Sequence, residues 1–341
     1  MLLVGDIGGS KTQLALLELA GDSWEFEHTG RYSSPKYDSL TQIVQHFLGQ
    51  HQAQVSHACF GVAGPVRAQR VEVTNLPWTL EAARLRAELA LDEIWLLNDL
   101  QAIAEALPLL TAVDLLTLNP GTPEPRGGMA VLAPGTGLGE AFCTWDEERA
   151  DYRAHPSEGG HCDFAPRDEL QLELLRFMLE RYEHVSYERL ASGIGLPNIY
   201  KFLSSQGNFR EPDWLHEELH AAQDPTPVII AAALDEERDC KLCIRCLELF
   251  CDIIAAEAAN LALKTWATGG VFIGGGIPPR IQSFFTDKRL LAAYLHKGRF
   301  KEQLGRIPLH LILNPHVALL GAAHHGRRQA AQLPAANGHR E

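Results

Sequence analysis

Two polar side chains stand where an apolar segment gives way to a helical pattern. Asn98 and Asp99 follow the apolar segment Glu93–Leu97 directly and precede Leu100–Leu107, which has helical spacing. Open α/β sheets bind ligands at the carboxyl ends of their strands. An aspartate there can accept the proton of an attacking hydroxyl group, while the asparagine binds a neighbouring hydroxyl. Asp99 could equally be the N-cap of the helix, so both interpretations stay open at this point.

A second group of ligand-type side chains lies further along the chain. Glu158 and His161 share one compact glycine-bearing segment, and Glu188 precedes the turn Ser-Gly-Ile-Gly. Two carboxylates and an imidazole can together hydrogen-bond several hydroxyl groups of a sugar. Each also has an ordinary structural explanation, Glu188 on a solvated helix face and His161 in a loop. Only their combination favours a sugar site.

Three glycine-rich turns each follow an apolar segment. The first contains Gly5, Asp6, Ile7, Gly8, Gly9 and Ser10, the second contains Gly135, Thr136 and Gly137, and the third is centred on Gly275. Backbone N–H groups in such turns can bind phosphate oxygens, and glycine allows the ligand to approach closely. One turn of this kind would be weak evidence. Three in the same context favour phosphate binding.

The first turn differs by one residue from the P-loop pattern, because Ser10 stands in place of the second glycine. A P-loop must also open a helix, whereas Gln13–Leu19 has the alternation of a strand. The P-loop interpretation is therefore rejected. Asp6 in this turn is predicted to hold Mg²⁺ through water beside the phosphates, and the alternative is that it caps the turn.

The elements that must position these residues alternate between strand and helix patterns, which is typical of α/β proteins. Strands are predicted at 1–4, 13–19, 58–62, 93–97, 128–133, 140–145, 271–273 and 309–313, and helices at 39–50, 80–89, 100–107, 168–181, 235–267 and 317–331. Residues 204–227 are predicted to be a surface loop or short helix. The order strand, glycine turn, strand occurs in both halves, which predicts a duplicated α/β fold.

Composition narrows the function classes further. A chain of 341 residues suits two domains. The formal net charge of −13, with no basic stripe, disfavours a nucleic-acid partner. No apolar run approaches the roughly 20 residues of a membrane span, and the N-terminus lacks a signal-peptide pattern. Seven cysteines without a disulfide framework predict a reduced, cytoplasmic compartment.

Together these motifs resemble the bacterial glucokinases of the hexokinase–actin-type ATPase superfamily. The resemblance covers nearly the whole chain, in the order GDIGGSKTQLAL, FGVAGPV, VTNLPW, LLNDLQAIA, APGTGLGEAF, SEGGHCDFAP, VSYERLASGIGL, GGVFIGGGIPPR and KGRF. It implies Mg²⁺- and ATP-dependent phosphorylation of glucose at its 6-hydroxyl group, with Asp99 as the catalytic base. It further implies that the sugar is bound by Asn98, Asp99, Glu158, His161 and Glu188, and the nucleotide phosphates by the glycine turns.

The resemblance also implies a two-domain actin- and hexokinase-like (ribonuclease H-like) fold with a cleft between the domains. A small domain is expected at residues 1–109, completed by the C-terminal helix 316–331, and a large domain at 110–315. A disordered tail is expected at 332–341. The family is commonly homodimeric, so a homodimer is expected here.

Some residues differ from the pattern of related proteins, and three cysteines have a spacing that is typical of metal sites. Ser10-Lys11 replaces the Thr-Asn of many relatives but keeps a hydroxyl group, and Cys162 stands where related repressor–kinases have a cysteine-rich zinc loop. Cys240, Cys243 and Cys246 have metal-type spacing, yet they continue at helical intervals into an apolar pattern. They are therefore predicted to pack in the core, and no zinc is expected.

Two other functions compete with a glucose kinase. One is a kinase for another hexose or an amino sugar. The other is an actin-like ATP-binding structural protein, which would share the glycine turns but would not need Glu158, His161 and Glu188 around a base. A DNA-binding sugar-responsive repressor is disfavoured by the charge and by the absence of a reader domain before the first turn.

Overall fold

The computed structural model describes residues 1–21 and 23–333, so most of the predicted tail 332–341 lies outside the described residues. The chain forms two compact units. The first contains Met1–Leu110, Asp146–Pro156 and the described residues from Asn314 onward, and the second contains Thr111–Trp145 and Ser157–Leu313. Each unit is built on its own sheet.

The first unit begins with the following strands: β1 (Leu2–Ile7), β2 (Lys11–Leu17), β3 (His28–Ser33), β4 (His57–Val62), β5 (Arg70–Glu72), β6 (Thr79–Glu81) and β7 (Glu93–Asn98). The main sheet has the order β3-β2-β1-β4-β7, and β5 pairs with β6. β1 is antiparallel to β2 and parallel to β4, which is parallel to β7. Ile7 lies beside Val62, which lies beside Asn98. The first glycine turn and Asn98 therefore lie at the same end of the sheet, where β1, β4 and β7 finish.

Three helices alternate with these strands: α1 (Leu40–His51) after β3, α2 (Ala82–Leu89) after β6 and α3 (Asp99–Ala106) after β7. Ser39 caps α1 by accepting the Gln42 N–H at 3.3 Å, and the buried face of α1 carries the predicted apolar residues, among them Ile43 and Phe47. The predicted helix at 80–89 begins two residues late because β6 takes residues 79–81 into its pairing with β5.

The strands that follow β7 are β8 (Leu115–Asn119), β9 (Met129–Pro134), β10 (Leu138–Asp146), β11 (Asp151–Ser157), β12 (Gly270–Ile273) and β13 (Leu309–Ile312). Except for β11, which falls mostly in the first unit, they form the sheet of the second unit. Within the unit the strand order is β10-β9-β12-β13-β8. β9 is antiparallel to β10 and parallel to β12, which is parallel to β13. The first unit arranges β2, β1, β4 and β7 in the same way. The predicted duplication of an α/β unit is confirmed.

The helices of the second unit are α4 (Glu169–Leu179), α5 (Leu196–Ser205), α6 (Asp213–Ala221), α7 (Pro225–Leu234), α8 (Lys241–Thr265), α9 (Gln282–Phe285), α10 (Lys288–Tyr294) and α11 (Lys301–Arg306). The single helix predicted at 235–267 is wrong at its start. The Asp235 side chain accepts the N–H groups of Glu237 and Arg238, at 3.0 and 3.1 Å, and this turn separates α7 from α8.

The cysteines of α8 pack in the core, as predicted. Cys240, Cys243 and Cys246 are all buried, and the thiol of Cys246 donates to the Leu196 carbonyl at 3.6 Å. Burial raises the pKa of the Cys243 and Cys246 thiols, so both are protonated at neutral pH. Across the described residues, no three or more His, Cys, Asp or Glu side chains are arranged to hold a metal ion.

The last helix, α12 (Val317–Ala331), returns to the first unit and has the predicted bounds. It packs against α3, β1 and β4. A side chain at Gly321 would overlap with the Ala102 carbonyl of α3, so glycine permits this close approach of the two helices. The helix that begins at Asp99 is thus supported along its length by α12.

Membrane insertion through a helix has no support in the described residues, because none of their helices combines enough length with enough apolar character.

Candidate active site

The first glycine turn connects β1 to β2 as a tight hairpin. Gly8 N–H donates to the Lys11 carbonyl at 2.9 Å, and a Cβ at Gly9 would lie 2.7 Å from the Thr74 carbonyl oxygen, so position 9 needs glycine. The Ser34 hydroxyl donates to the Gly8 carbonyl at 2.8 Å from outside the turn. Because β2 begins at Lys11, the turn opens a strand, and the rejection of a P-loop is confirmed.

Asp6 lies on β1 immediately before this turn and is half-buried. Burial raises the pKa of its carboxyl group, and the positive charge of Lys11 opposes that shift. A divalent cation nearby would favour the ionised carboxylate. An aspartate oxygen is a ligand type that Mg²⁺ accepts, so the chemistry of Asp6 fits the predicted role.

The cap of α3 is Asn98. Its Oδ1 accepts the N–H groups of Leu100 and Gln101 at 3.0 and 3.2 Å, and its Nδ2 donates to the Gly64 carbonyl at 3.1 Å. The alternative in which Asp99 caps the helix is therefore wrong. These contacts make Asn98 first of all a structural residue, and its second amide N–H is the group suited to a ligand.

Asp99 is the first residue of α3 and is half-buried. Its Oδ1 accepts the Leu100 N–H at 2.9 Å. The partial positive charge at a helix N-terminus favours an ionised carboxylate, which is the form that can accept a proton. The position of Asp99 thus suits a general base.

The second glycine turn is backed by another loop. Gly135 N–H donates to the Gly137 carbonyl at 2.9 Å, closing the turn between β9 and β10. From the loop after Glu188, Gly193 N–H donates to the Gly135 carbonyl at 2.8 Å and Ile194 N–H to the Thr136 carbonyl at 3.2 Å. The Ser-Gly-Ile-Gly segment therefore supports the predicted phosphate turn.

Glu188 is connected to the end of the same turn. Its Oε2 accepts the Leu138 N–H at 2.9 Å. A side chain at Gly137 would overlap with this oxygen, so glycine makes room for the carboxylate. A predicted sugar ligand and a predicted phosphate turn are thus direct neighbours in the second unit.

Glu158, His161 and Glu188 come together in the second unit. His161 Nδ1 lies 3.9 Å from Glu188 Oε1, and His161 Nε2 lies 4.0 Å from Glu158 Oε2. The side chains of Glu158, His161 and Glu188 are 69%, 60% and 22% exposed, so all three can reach a ligand from solvent. Glu188 N–H also donates to the Gly160 carbonyl at 2.9 Å, which holds the two segments together.

The third glycine turn packs against the end of β9. Gly274 N–H donates to the Leu132 carbonyl at 2.8 Å. Gly275 has a φ of +86°, and a side chain there would overlap with the Pro134 carbonyl. Gly275 therefore lies next to the strand that leads into Gly135, and its nucleotide-binding role stays a prediction.

Sequence reasoning missed Glu140, a buried carboxyl group on β10 behind the Glu158–His161 segment. It is 1% exposed and stands among apolar neighbours in the sequence LGEAF. Burial and the negative charge of Glu257 raise the pKa of Glu140 to about 8, while Lys264 opposes the shift. The only signal in the sequence was an acid in an otherwise apolar strand.

Comparisons with known proteins agree over the whole chain. The family model described as Glucokinase matches residues 3–329. The chain is 39% identical over 338 residues to a glucokinase of Nostoc punctiforme, covering 95% of this chain and 98% of that protein. It is 37% identical over 327 residues to a glucokinase of Yersinia pestis, covering 96% of each.

Solved structures share the fold. A glucokinase from an Antarctic psychrotroph superposes with a TM-score of 0.82 at 30% identity, covering 96% of this chain and 98% of that one. A ROK family glucokinase from Streptomyces griseus, solved in complex with glucose and AMPPNP, has a TM-score of 0.67 at 17% identity, covering 96% and 99%.

Proposed function

The chain belongs to the glucokinase family, whose members phosphorylate glucose, and we propose that it transfers the γ-phosphoryl group of ATP to the glucose 6-hydroxyl with Asp99 as general base. The observation that carries the proposal is the solvent-accessible cluster in which His161 lies within 4.0 Å of both Glu158 and Glu188. An actin-like structural protein has no need of such a cluster. The recognised resemblance to the glucokinases is confirmed by the match over nearly the whole chain.

In the proposed reaction, the 6-hydroxyl oxygen attacks the γ-phosphorus and its proton passes to the Asp99 carboxylate. The bond to the bridging oxygen breaks, and glucose 6-phosphate and ADP leave. Phosphoryl transfer asks the protein mainly for positioning and charge stabilisation. Glu158, His161, Glu188 and the amide of Asn98 would position the sugar hydroxyls.

ATP is proposed as the donor because Gly8–Ser10, directly after Gly5, Asp6 and Ile7 at the end of β1, and Gly135–Gly137 form turns of the kind that bind phosphates, with Gly275 beside the second. A protein of the same fold binds AMPPNP, which supports this choice. Mg²⁺ would neutralise charge on the phosphates, and Asp6 would hold it through water. No zinc is proposed, since the α8 cysteines serve as core residues.

The cellular compartment, the oligomeric state and the domain bounds are also proposed. No disulfide joins any of the seven cysteines, all of which lie in the described residues, and this suits a reducing, cytoplasmic compartment and a role in glycolysis. A homodimer is proposed from the family resemblance. The functional domains are proposed to be 1–109 with 316–331, and 110–315.

The function is tested by offering a panel of sugars with ATP and Mg²⁺ and measuring ADP release in a coupled assay. Glucose should give a higher kcat/KM than mannose, fructose, glucosamine or N-acetylglucosamine. A higher value for another sugar would establish the alternative hexose or amino-sugar kinase. ATP hydrolysis that no sugar stimulates would favour the actin-like alternative.

Glu158→Gln is expected to raise the KM for glucose about threefold to tenfold, with little change in the KM for ATP. The substitution keeps the shape but removes the charge from an acceptor, and charge-assisted hydrogen bonds are roughly twice as strong as neutral ones. Glu180→Gln is the matched control, because Glu180 has an exposed side chain outside the cluster. Equal changes in both KM values would show that Glu158 is structural.

Gly137→Ala is expected to raise the KM for glucose about tenfold or more. The new methyl group would displace the Glu188 carboxylate and break its hydrogen bond with Leu138 N–H. A hydrogen bond to a charged group contributes about 1.5–3 kcal/mol. Gly49→Ala on α1 is the control, since no atom lies within 4 Å of its added Cβ. An unchanged glucose KM would separate Glu188 from sugar binding.

A further inference from the structure

Glu140 occupies a core position that an apolar residue would fill at lower cost. It lies on β10 between Leu138, in the core of the second unit, and Phe142, which packs against that core. Its Oε1 has no hydrogen-bond partner among the described residues. A buried polar group without a partner costs free energy of folding, and such a cost is typical of residues kept for function.

The Glu140 carboxyl group contacts the backbone of Gly159. A side chain at position 159 would overlap with Glu140 Oε2 and would lie 3.2 Å from Ser157 Oγ. Gly159 is the residue between Glu158 and the turn that leads to His161. Glu140 therefore lies directly behind the segment that carries two members of the cluster.

The charged neighbours of Glu140 are already engaged with one another. On α8, Glu257 accepts from Lys264 Nζ at 3.2 Å and from Asn260 Nδ2 at 2.7 Å. Asn260 also donates to the Tyr187 hydroxyl at 2.9 Å and accepts from Lys297. Lys264 is hydrogen-bonded to Glu257, and its charge offsets only part of the effect of burial and of Glu257 on Glu140, which is mostly protonated at neutral pH.

The loop in front of Glu140 also carries ionisable groups. Glu158 and His161 flank the Gly159-Gly160 segment, and Cys162 follows it. Cys162 lies within electrostatic reach of Lys264, which places the loop and α8 close to each other at this site. Ionisation of Glu140 would add a second negative charge beside Glu257, behind this loop.

We propose that Glu140 is a positioning residue for the sugar site: its buried carboxyl group supports Gly159 and thereby holds Glu158 and His161 in place. The inference rests on the proposed role of Glu158 and His161 as sugar ligands. When Glu140 ionises at alkaline pH, the carboxylate is repelled by Glu257 and attracts water, and the support is lost. The KM for glucose then rises, while the KM for ATP changes little.

Glu140→Gln keeps the shape and stays neutral at every pH. It is expected to keep the glucose KM within about twofold of the parent at pH 7 and to abolish the rise between pH 7 and 9. Glu140→Ala is expected to raise the glucose KM about fivefold or more at pH 7. Met178→Ala, a cavity in the same core away from the loop, should leave the glucose KM and its pH profile unchanged.

Thermal unfolding adds a readout that does not depend on activity. The pKa of Glu140 is higher in the folded chain than its ordinary value of 4.5, so the folded state holds the proton longer. Its contribution to stability is complete below pH 4.5 and is lost as pH rises through about 8. The fall in Tm across this range should be smaller in Glu140→Gln than in the parent.

The outcomes separate this inference from the ligand assignment. A normal glucose KM in Glu140→Ala, together with a raised one in Glu158→Gln, would overturn the positioning role alone. A normal KM in both variants would overturn the ligand assignment as well. An alkaline rise that persists in Glu140→Gln would also overturn the proposal, and this arm remains available if Glu140→Ala does not fold.

Discussion

The Asp99→Asn variant is expected to fold and bind glucose but to lose about 10²–10⁴ in kcat, the usual cost of losing a general base. At 1.36 kcal/mol per decade this is roughly 3–5.5 kcal/mol of barrier. Asparagine keeps the size of the side chain but cannot accept the proton. Because Asn98 caps α3, the cap stays intact, and the loss of charge at the helix N-terminus costs about 0.3–1 kcal/mol of stability.

Stopped assays of kcat, with glucose affinity from calorimetry, check this expectation. Asp92→Asn is the matched control, since Asp92 is an exposed aspartate just before β7. Glucose affinity should fall much less than kcat because the cluster in the second unit is unchanged. Near-normal turnover in folded Asp99→Asn would refute the assignment of the base and direct attention to Glu158 and Glu188.

The Glu105→Leu variant is expected to lose about 3–5 kcal/mol of unfolding free energy, the usual cost of removing one partner of a buried ion pair. Glu105 lies on α3 and is 3% exposed. Its Oε1 accepts from Arg328 Nη2 at 2.6 Å and lies 3.0 Å from His325 Nδ1 on α12. His324 Nδ1 is farther away, at 3.4 Å from Oε2. The substitution leaves the half-buried Arg328 guanidinium with Asp151 as its acidic partner.

Urea unfolding measures this loss of unfolding free energy. Two further variants show whether the loss comes from the buried ion pair. Glu88→Gln, which breaks a surface pair with Arg84, should cost no more than about 0.5–1 kcal/mol. The double variant Glu105→Leu/Arg328→Met should recover much of the stability, because well-packed apolar residues can replace a buried pair. A loss below about 1 kcal/mol in Glu105→Leu would mean that the pair does not stabilise the contact between α3 and α12.

The same residue predicts a pH dependence. Burial alone would raise the pKa of Glu105, but the neighbouring imidazoles of His324 and His325 and the Arg328 guanidinium outweigh it and hold the pKa well below 4.5. The stabilisation is therefore present above pH 4.5 and is lost as pH falls below that value. The parent should lose stability in acid more steeply than Glu105→Leu, as unfolding midpoints between pH 3 and 7 would show.

The sequence by itself determined the repeated order of strand, glycine turn and strand, the bounds of α12 and the family. These features depend on local information. Alternation and helical spacing report which face of a segment is buried, and glycines mark turns that other residues would strain. The cluster of Glu158, His161 and Glu188 was also predictable, but only as a combination whose members could each be explained otherwise.

The tertiary structure alone decided three points. Asn98 and Asp99 are adjacent and cap helices about equally well, so the sequence could not show which of them is the N-cap of α3. In the structure, the Asn98 amide donates to the Gly64 carbonyl, and this contact holds Asn98 in the capping position. The helix predicted at 235–267 begins only at Lys241, because the Asp235 side chain accepts the backbone N–H groups of the turn before it. The environments of Glu140 and Glu105 depend on partners far away in sequence, such as Glu257 and Arg328. Burial and long-range pairing set the protonation of a carboxyl group, and neither is encoded in its neighbours along the chain.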